Sequence, residues 1–185
     1  MKIGILALQG DFEAHGRMLR SAGADAVEVR THAELDAVDA LVIPGGESTT
    51  IRKLATAYGL IEPLRARARA GLPIFGTCAG LIACARTILD GDEPIWPVVD
   101  IDVARNAYGR QLQSFEADVD VEGIGTVRAA FIRAPRIERV GEDVEVLARH
   151  AGVPVLVRQG QVLLAAFHPE ITGDPRLHEL FLAAL

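Results

Sequence analysis

A chain of 185 residues, half of them apolar, with a formal net charge of −6, is long enough to bury one well-filled core and is read as a single domain, residues 1–185. The acidic balance and the lack of a basic stripe argue against a phosphate-backbone partner, so no nucleic acid is expected. Two cysteines without a sensible local partner, no charged-then-apolar leader and an apolar start too short to span a bilayer point to a reducing cytoplasm and no membrane.

In chain order, Ile3 to Leu8 reads as a buried first strand, followed by a helix near Phe12 to Ala22 and strands at Ala26 to Arg30 and Ala40 to Ile43. Helices near Thr49 to Tyr58 and Ile61 to Ala70 precede the strand Pro73 to Phe75 and a helix that begins near Leu81. Apolar runs alternating with amphipathic segments predict an open parallel α/β sheet with helices on both faces. Beyond Val98 strands follow in succession: Val98 to Val103, Phe115 to Val121, Gly125 to Ile132, Val144 to His150, Val153 to Arg158 and Val162 to Phe167. Turns such as Glu122-Gly123, Gly141-Glu142 and Gln159-Gly160 predict antiparallel pairing there, so the sheet as a whole is mixed. A helix near Pro175 to Ala184 closes the chain.

The motif that carries chemistry is Gly76-Thr77-Cys78-Ala79-Gly80, directly after Pro73-Ile74-Phe75 and directly before a helical pattern. A strand ending in Gly-x-Cys-x-Gly and entering a helix has the form of a nucleophile elbow, with the thiol in place of the usual serine hydroxyl. The turn is so tight that side chains two positions either side of the nucleophile would collide, which is the reason for glycine at both. The thiol is left at a helix start, where unpaired N–H groups favour thiolate. A lone cysteine is more often a small buried core residue; the flanking glycines and the strand-to-helix switch favour the elbow. Cys84, six residues on, lies on a different helix face and reads as core, without a disulfide to Cys78.

Phe167-His168-Pro169-Glu170 ends an apolar run abruptly. Positions i and i+2 at a strand end project to one side, so Glu170 can hold one imidazole nitrogen of His168 while the other faces a thiol. That is the orienter, base and nucleophile order of a catalytic triad. His15, His32, His150 and His178 have no comparable context and read as structural or surface groups. No spacing suggests a metal site.

Pro44-Gly45-Gly46-Glu47-Ser48-Thr49-Thr50 follows the strand Ala40 to Ile43. Paired glycines turn the backbone sharply and present N–H groups, so Gly46 together with the N–H of Ala79 is a candidate oxyanion site, with Glu47 and Ser48 beside the substrate. A serine or threonine cap on the helix that follows is expected as well.

Pro-Gly-Gly-Glu-Ser, Gly-Thr-Cys-Ala-Gly and Phe-His-Pro-Glu, in that order, resemble the class I glutamine amidotransferases. Leu8-Gln9-Gly10, Gly46 to Thr50, Arg105 to Gln111, Ser114-Phe115-Glu116 and Phe131 to Pro135 look like the group within that family that serves as glutaminase subunit of pyridoxal 5'-phosphate synthases. The resemblance runs from Lys2 to the C-terminal helix. It implies Cys78 as nucleophile, His168 as general base and acid, and Glu170 as its orienter. It further implies that Gly46, Glu47, Ser48 and Arg105 bind glutamine and that Ile132 and Arg133 complete the pocket. Gln9 is implied near the contact with a separate (β/α)8 barrel synthase subunit, with Arg105 to Gln111 a second guess at that interface. The barrel subunit receives ammonia, and pyridoxal phosphate is the product of the complex, so no cofactor is expected on this chain. Ile95-Trp96-Pro97 departs from the commonest pattern of the group and touches no implied catalytic role. A glutaminase of another synthase, such as the one making imidazole glycerol phosphate, would share the triad but not the Arg105 to Gln111 and Phe131 to Pro135 stretches. A non-catalytic regulatory subunit would be indifferent to loss of the Cys78 thiol.

Overall fold

The computed structural model describes residues 1–105 and 114–185 of the chain. Most of the Arg105 to Gln111 stretch therefore lies outside the described residues. The first half alternates as the hydropathy pattern predicts, with one short helix, α2, that was not expected: β1 (Lys2–Leu6), α1 (Phe12–Ser21), β2 (Asp25–Val29), α2 (His32–Asp36), β3 (Ala40–Ile43), α3 (Ser48–Ala57), α4 (Ile61–Arg69), β4 (Ile74–Thr77) and α5 (Ala79–Cys84). There follow β5 (Ala85–Ile88), β6 (Val99–Ala104), β7 (Ser114–Val121), β8 (Gly125–Ile132), β9 (Arg136–Val140), β10 (Glu145–His150), β11 (Val153–Gln159) and β12 (Val162–Ala165), and then α6 (Pro169–Thr172) and α7 (Arg176–Ala183).

Among the described residues, nine strands form one mixed sheet in the order β2-β1-β3-β4-β12-β11-β10-β7-β8. Its first five strands are parallel, and β12 crosses to antiparallel pairing with β11. The two halves differ in burial. Every residue of β3, β4 and β12 is buried, as in strands covered on both faces, whereas β7 keeps an exposed row alternating with its inner one. The connections β1-α1-β2 and β2-α2-β3 run in opposite directions across the sheet, so right-handed crossovers put α1 and α2 on opposite faces. α1 packs with α6 and α7, and α3 packs with α4 and α5. The expected open mixed sheet flanked by helices is the observed one.

The antiparallel succession expected after Val98 holds for β7, β8, β10 and β11 and fails for β6. That strand leaves the large sheet and joins a small one, parallel to β5 and antiparallel to β9. β5 and β9 were not expected as strands. Ala85-Arg-Thr-Ile and Arg-Ile-Glu-Arg-Val carry too few apolar residues to show a clear period, and they are held in place by β6, in part through Arg139, which bonds to Asp100 and Asp102. Trp96, before β6, is fully buried and its indole N–H donates to the Ile61 carbonyl at 3.2 Å. No helix among the described residues is long and apolar enough to cross a membrane.

β3, β4 and β12 are adjacent and parallel, with Ala165 level with Thr77 and Ile43 level with Gly76. Their carboxyl ends therefore open at one edge of the sheet, the position where open α/β sheets place their sites.

Candidate active site

Cys78 follows β4 and is the N-cap of α5, at φ 49° and ψ −102°. A side chain at positive φ is strained, and the strain is overcome by the surroundings. The Cys78 N–H donates to the Ala165 carbonyl at 2.8 Å, which ties the turn to β12. The glycines have the job expected of them. A Cβ on Gly76 would stand 2.9 Å from the Gly80 carbonyl carbon, and one on Gly80 would stand 2.2 Å from the Ile43 carbonyl oxygen. The collision between the two arms of the elbow is real, and the harsher one is with β3. Ala79 is the first residue of α5, so its N–H has no acceptor within the helix.

His168, directly after Phe167 and three residues past the end of β12, is bridged to Ala130 and is the N-cap of α6, with Pro169 at the first helical position. β12 stops at Ala165, so Glu170 is paired with His168 by the first turn of a helix rather than by the expected strand alternation. Proline at this point presets the helical φ and has no N–H to lose. The His168 N–H donates to the Ala130 carbonyl at 2.8 Å, fixing the turn against β8. His168 Nδ1 is 2.7 Å from Glu170 Oε1, and both residues are buried. Burial by itself would lower the His168 pKa, but hydrogen bonds with the Cys78 sulfur and the Glu170 carboxylate push it up to about 10. Burial by itself would raise the Glu170 carboxyl. The bond to His168 and the electrostatic pull of the His15 and His168 rings outweigh that and hold it below the usual carboxylate range.

The elbow and His168 open into a pocket of about 520 Å³, counted with its open mouth. Gly46, Glu47 and Ser48 line one side, and Arg105, Ile132 and Arg133 line another, so all the residues expected to hold substrate meet at Cys78. The Ile132 carbonyl lies 3.8 Å from Cys78 Sγ. Arg133, just past β8, sits at φ 44°. A cross-strand stack of Phe115 on Phe131, 4.7 Å between ring centroids, anchors the strand end from which Ile132 and Arg133 project.

Three expectations need adjustment. The helix after the glycine pair is capped by Glu47, without a side-chain bond to it, and Ser48 is already helical, so no Ser or Thr cap is present at that end. The glycine loop is braced from elsewhere: the Gln9 amide donates to the Gly45 carbonyl at 3.1 Å and its oxygen accepts from the Glu47 N–H at 3.0 Å. Gln9 thus has work inside the chain, whatever it touches outside. Arg105 lines the pocket, yet its Nε and backbone N–H both donate to Asp90 and its guanidinium also reaches Asp92. Any substrate carboxylate at Arg105 shares it with those two aspartates.

Sequence reasoning missed Ile82 on the pocket wall, Gly45 and His15. A Cβ on Gly45 would stand 2.4 Å from His168 Cε1, so that glycine makes room for the imidazole rather than only for a turn. His15 is buried on the inner face of α1 with Ala14, Gly16 and Leu19. Its Nε2 lies 3.4 Å from Glu170 Oε2 and 3.2 Å from Thr77 Oγ1, and its Nδ1 lies 2.9 Å from Nε2 of the equally buried His178. A histidine on the apolar side of an amphipathic helix was the available signal. Both cysteines are free and buried; Cys84, wholly enclosed in α5, has its thiol pushed up to about 12 by that burial and is inert. Among the described residues no group of three or more His, Cys, Asp or Glu is arranged to hold a metal ion.

The model of the SNO glutamine amidotransferase family matches residues 5–185. The chain belongs to that family. Proteins named pyridoxal 5'-phosphate synthase subunit PdxT are similar to it along nearly the whole chain. The one from Acidothermus cellulolyticus is 58% identical, covering 98% of this chain and 92% of its own, and the one from Thermus thermophilus is 56% identical, covering 97% and 95%. A crystal structure described as a glutamine amidotransferase superposes with a TM-score of 0.94 at 52% identity, over 98% of this chain and 97% of that one. Membership of the family makes the chain a glutamine amidotransferase, with the fold that the class I resemblance implied.

The buried histidine pair has a consequence for stability. Burial is the main cause that pushes His178 from 6.5 down to about 3, the neighbouring His15 acts in the same direction, and burial also lowers His15. In the unfolded chain both take up a proton near pH 6.5; in the folded chain they resist it. The contribution of His178 is therefore present above pH 6.5 and lost as pH falls toward 3, at up to about 1.4 kcal/mol per pH unit, and His15 acts in the same direction. The urea midpoint is expected to drop steadily between pH 6.5 and 5, ahead of the carboxylates. A flat profile there would mean that the pair is not buried neutral.

Proposed function

We propose that this chain is the glutaminase subunit of a pyridoxal 5'-phosphate synthase, a single domain that hydrolyses L-glutamine to L-glutamate and ammonia and passes the ammonia to a synthase barrel subunit in a hetero-oligomer. The observation that carries the chemistry is the 2.7 Å His168–Glu170 pair beside a strained Cys78 in one pocket. The specific pathway is supported by the PdxT names of relatives that match the chain from end to end.

The Cys78 thiolate attacks the side-chain carboxamide carbon, forming a C–S bond and moving the carbonyl electrons onto oxygen. N–H groups of Gly46 and Ala79 hold that oxyanion. As it collapses, the His168 imidazolium gives its Nε2 proton to the nitrogen, and ammonia leaves with the C–N electron pair. Neutral His168 then takes a proton from water, whose oxygen displaces the sulfur from the γ-glutamyl thioester. Glutamate and the thiolate–imidazolium pair result. Glu170 keeps the ring turned and its Nδ1 protonated throughout. Glu47 and Arg105 are assigned to the α-ammonium and α-carboxylate end of glutamine, since a zwitterion needs an acceptor and a cation at that end. Free ammonia protonates in water, so it is delivered to the partner subunit that holds the acceptor. The setting is the cytoplasm.

The test is glutamate release by the purified chain, alone and with a pyridoxal phosphate synthase barrel subunit. Stimulation by tenfold or more is the expected result. Turnover indifferent to the barrel would leave the glutaminase and remove the pathway; no turnover in either case would remove both.

A further inference from the structure

The Glu170 carboxylate is enclosed on all sides, and only its Oε1 has a conventional hydrogen-bond donor, His168 Nδ1. Oε2 is buried without one. A bare buried carboxylate oxygen is costly unless a positive or N–H-bearing group faces it. The group that does is the imidazole of His15, whose Nε2 is 3.4 Å away, longer than a normal hydrogen bond and close enough for a directed charge–dipole contact.

The tautomers along this line can be worked out from what each atom meets. If His15 carried its proton on Nδ1, the lone pair of Nε2 would point at the lone pairs of Oε2 in a dry interior. The proton is therefore on Nε2, shared between Oε2 and Thr77 Oγ1. Neutral His15 then has a lone pair on Nδ1, which must accept from His178 Nε2 at 2.9 Å. His178 in turn is left with a bare Nδ1, and that atom is the one buried without a partner. An unprotonated ring nitrogen is the form in which such an orphan costs least. Every donor along His178, His15, Glu170 and His168 points the same way, toward the carboxylate from both ends.

We propose that His15, braced by His178, is a positioning residue of the triad: its Nε2–H faces Glu170 Oε2, keeps the carboxylate ionised and holds it turned so that Oε1 remains on His168 Nδ1. The proposal rests on the triad reading above. The groups that face His15 are Glu170, His168, His178 and, from its own helix cap, Asp11; of these only Glu170 accepts from Nε2. Phe75 packs edge-on against the His15 ring at 6.2 Å and sets its plane.

The decisive experiment is kinetic, on the chain in complex with its synthase partner. His15→Phe keeps the ring volume and removes the N–H; it is expected to lower kcat for glutamine by about tenfold, the kinetic weight of one hydrogen bond to a charged group. KM for glutamine should stay within about twofold, since His15 does not line the pocket. The acid limb of kcat/KM should move up by about one pH unit, because Glu170 then protonates more easily. His15→Gln, whose amide N–H lies where Nε2–H was, should restore most of both. A folded His15→Phe enzyme with unchanged kcat and pH profile overturns the proposal, and so does His15→Gln behaving like His15→Phe. Nitrogen-15 NMR of the wild-type chain decides independently of any variant: His15 as the neutral Nε2–H tautomer at pH 7 is required, and the Nδ1–H tautomer sinks the idea. Cys78→Ala run in parallel separates the two levels, because undiminished turnover in that variant removes the triad reading itself, whereas its loss together with a wild-type-like His15→Phe removes only the role of His15.

Discussion

Replacing Cys78 by alanine is expected to lower glutamine-dependent turnover by at least about 10⁴-fold while leaving ammonium-supported synthesis by the complex in place. The reason for so large an effect is that no other group in the pocket can form the bond. Ser48 lines the pocket as a hydroxyl on α3, but His168, the proposed base, is held by Glu170, and its pKa is raised by interaction with the Cys78 sulfur. What remains after the substitution is binding and the oxyanion N–H groups, which act only on a nucleophile that is present. The fold should survive. Alanine adds no atom, and φ 49° is no harder for alanine than for cysteine. Glutamate release and ammonium-driven product formation, measured on the same complex, check both halves; glutamine turnover that persists undiminished would make Cys78 a core residue after all.

Glu170→Gln is expected to cost about 10³-fold in kcat, less than the loss of Cys78. Two ring N–H groups converge on this carboxylate, His168 Nδ1 on Oε1 and His15 Nε2 on Oε2. A carboxylate accepts both. A carboxamide has one acceptor and one NH₂, so one histidine must change tautomer or face another donor. If the amide oxygen stays on His168, the NH₂ meets the His15 N–H; if it turns, His168 is held in the tautomer that cannot serve Cys78. The negative charge that favours imidazolium is lost in either case, so the His168 pKa should fall from its raised position. The bond-forming atom remains, hence the smaller effect. A folded Glu170→Gln enzyme as dead as Cys78→Ala would reverse that ranking, and one with wild-type kcat would remove Glu170 from the triad.

The elbow, the glycine pair and the His-Pro-Glu corner were legible because each is a local event: a backbone too tight for a Cβ, or an apolar run that stops. Such features are written in neighbouring residues and need no knowledge of the rest of the chain. α2, β5, β9 and α6 were not legible. Arg136–Val140 has an indistinct period and becomes a strand because β6 offers it a ladder edge, and Pro169–Thr172 is too short to show a period of 3.6 at all. The strand placement of Glu170 failed for the same reason, although its pairing with His168 was right.

The residues alone point to the class of sheet, a candidate nucleophile, its candidate base and the loop that faces them. Packing decides the rest. That β4 lies beside β12, bringing Cys78 to His168, follows from burial of both faces of those strands and not from any residue in the elbow. That His15 and His178 stand behind Glu170 follows from α1 and α7 meeting on one face of the sheet. A helix's polar residue acquires a chemical role only from what the opposite surface presents to it, and that information is spread over elements far apart in the chain. Short-range stereochemistry is local and can be read in order, whereas desolvation and pairing are set by the neighbours that the finished fold supplies.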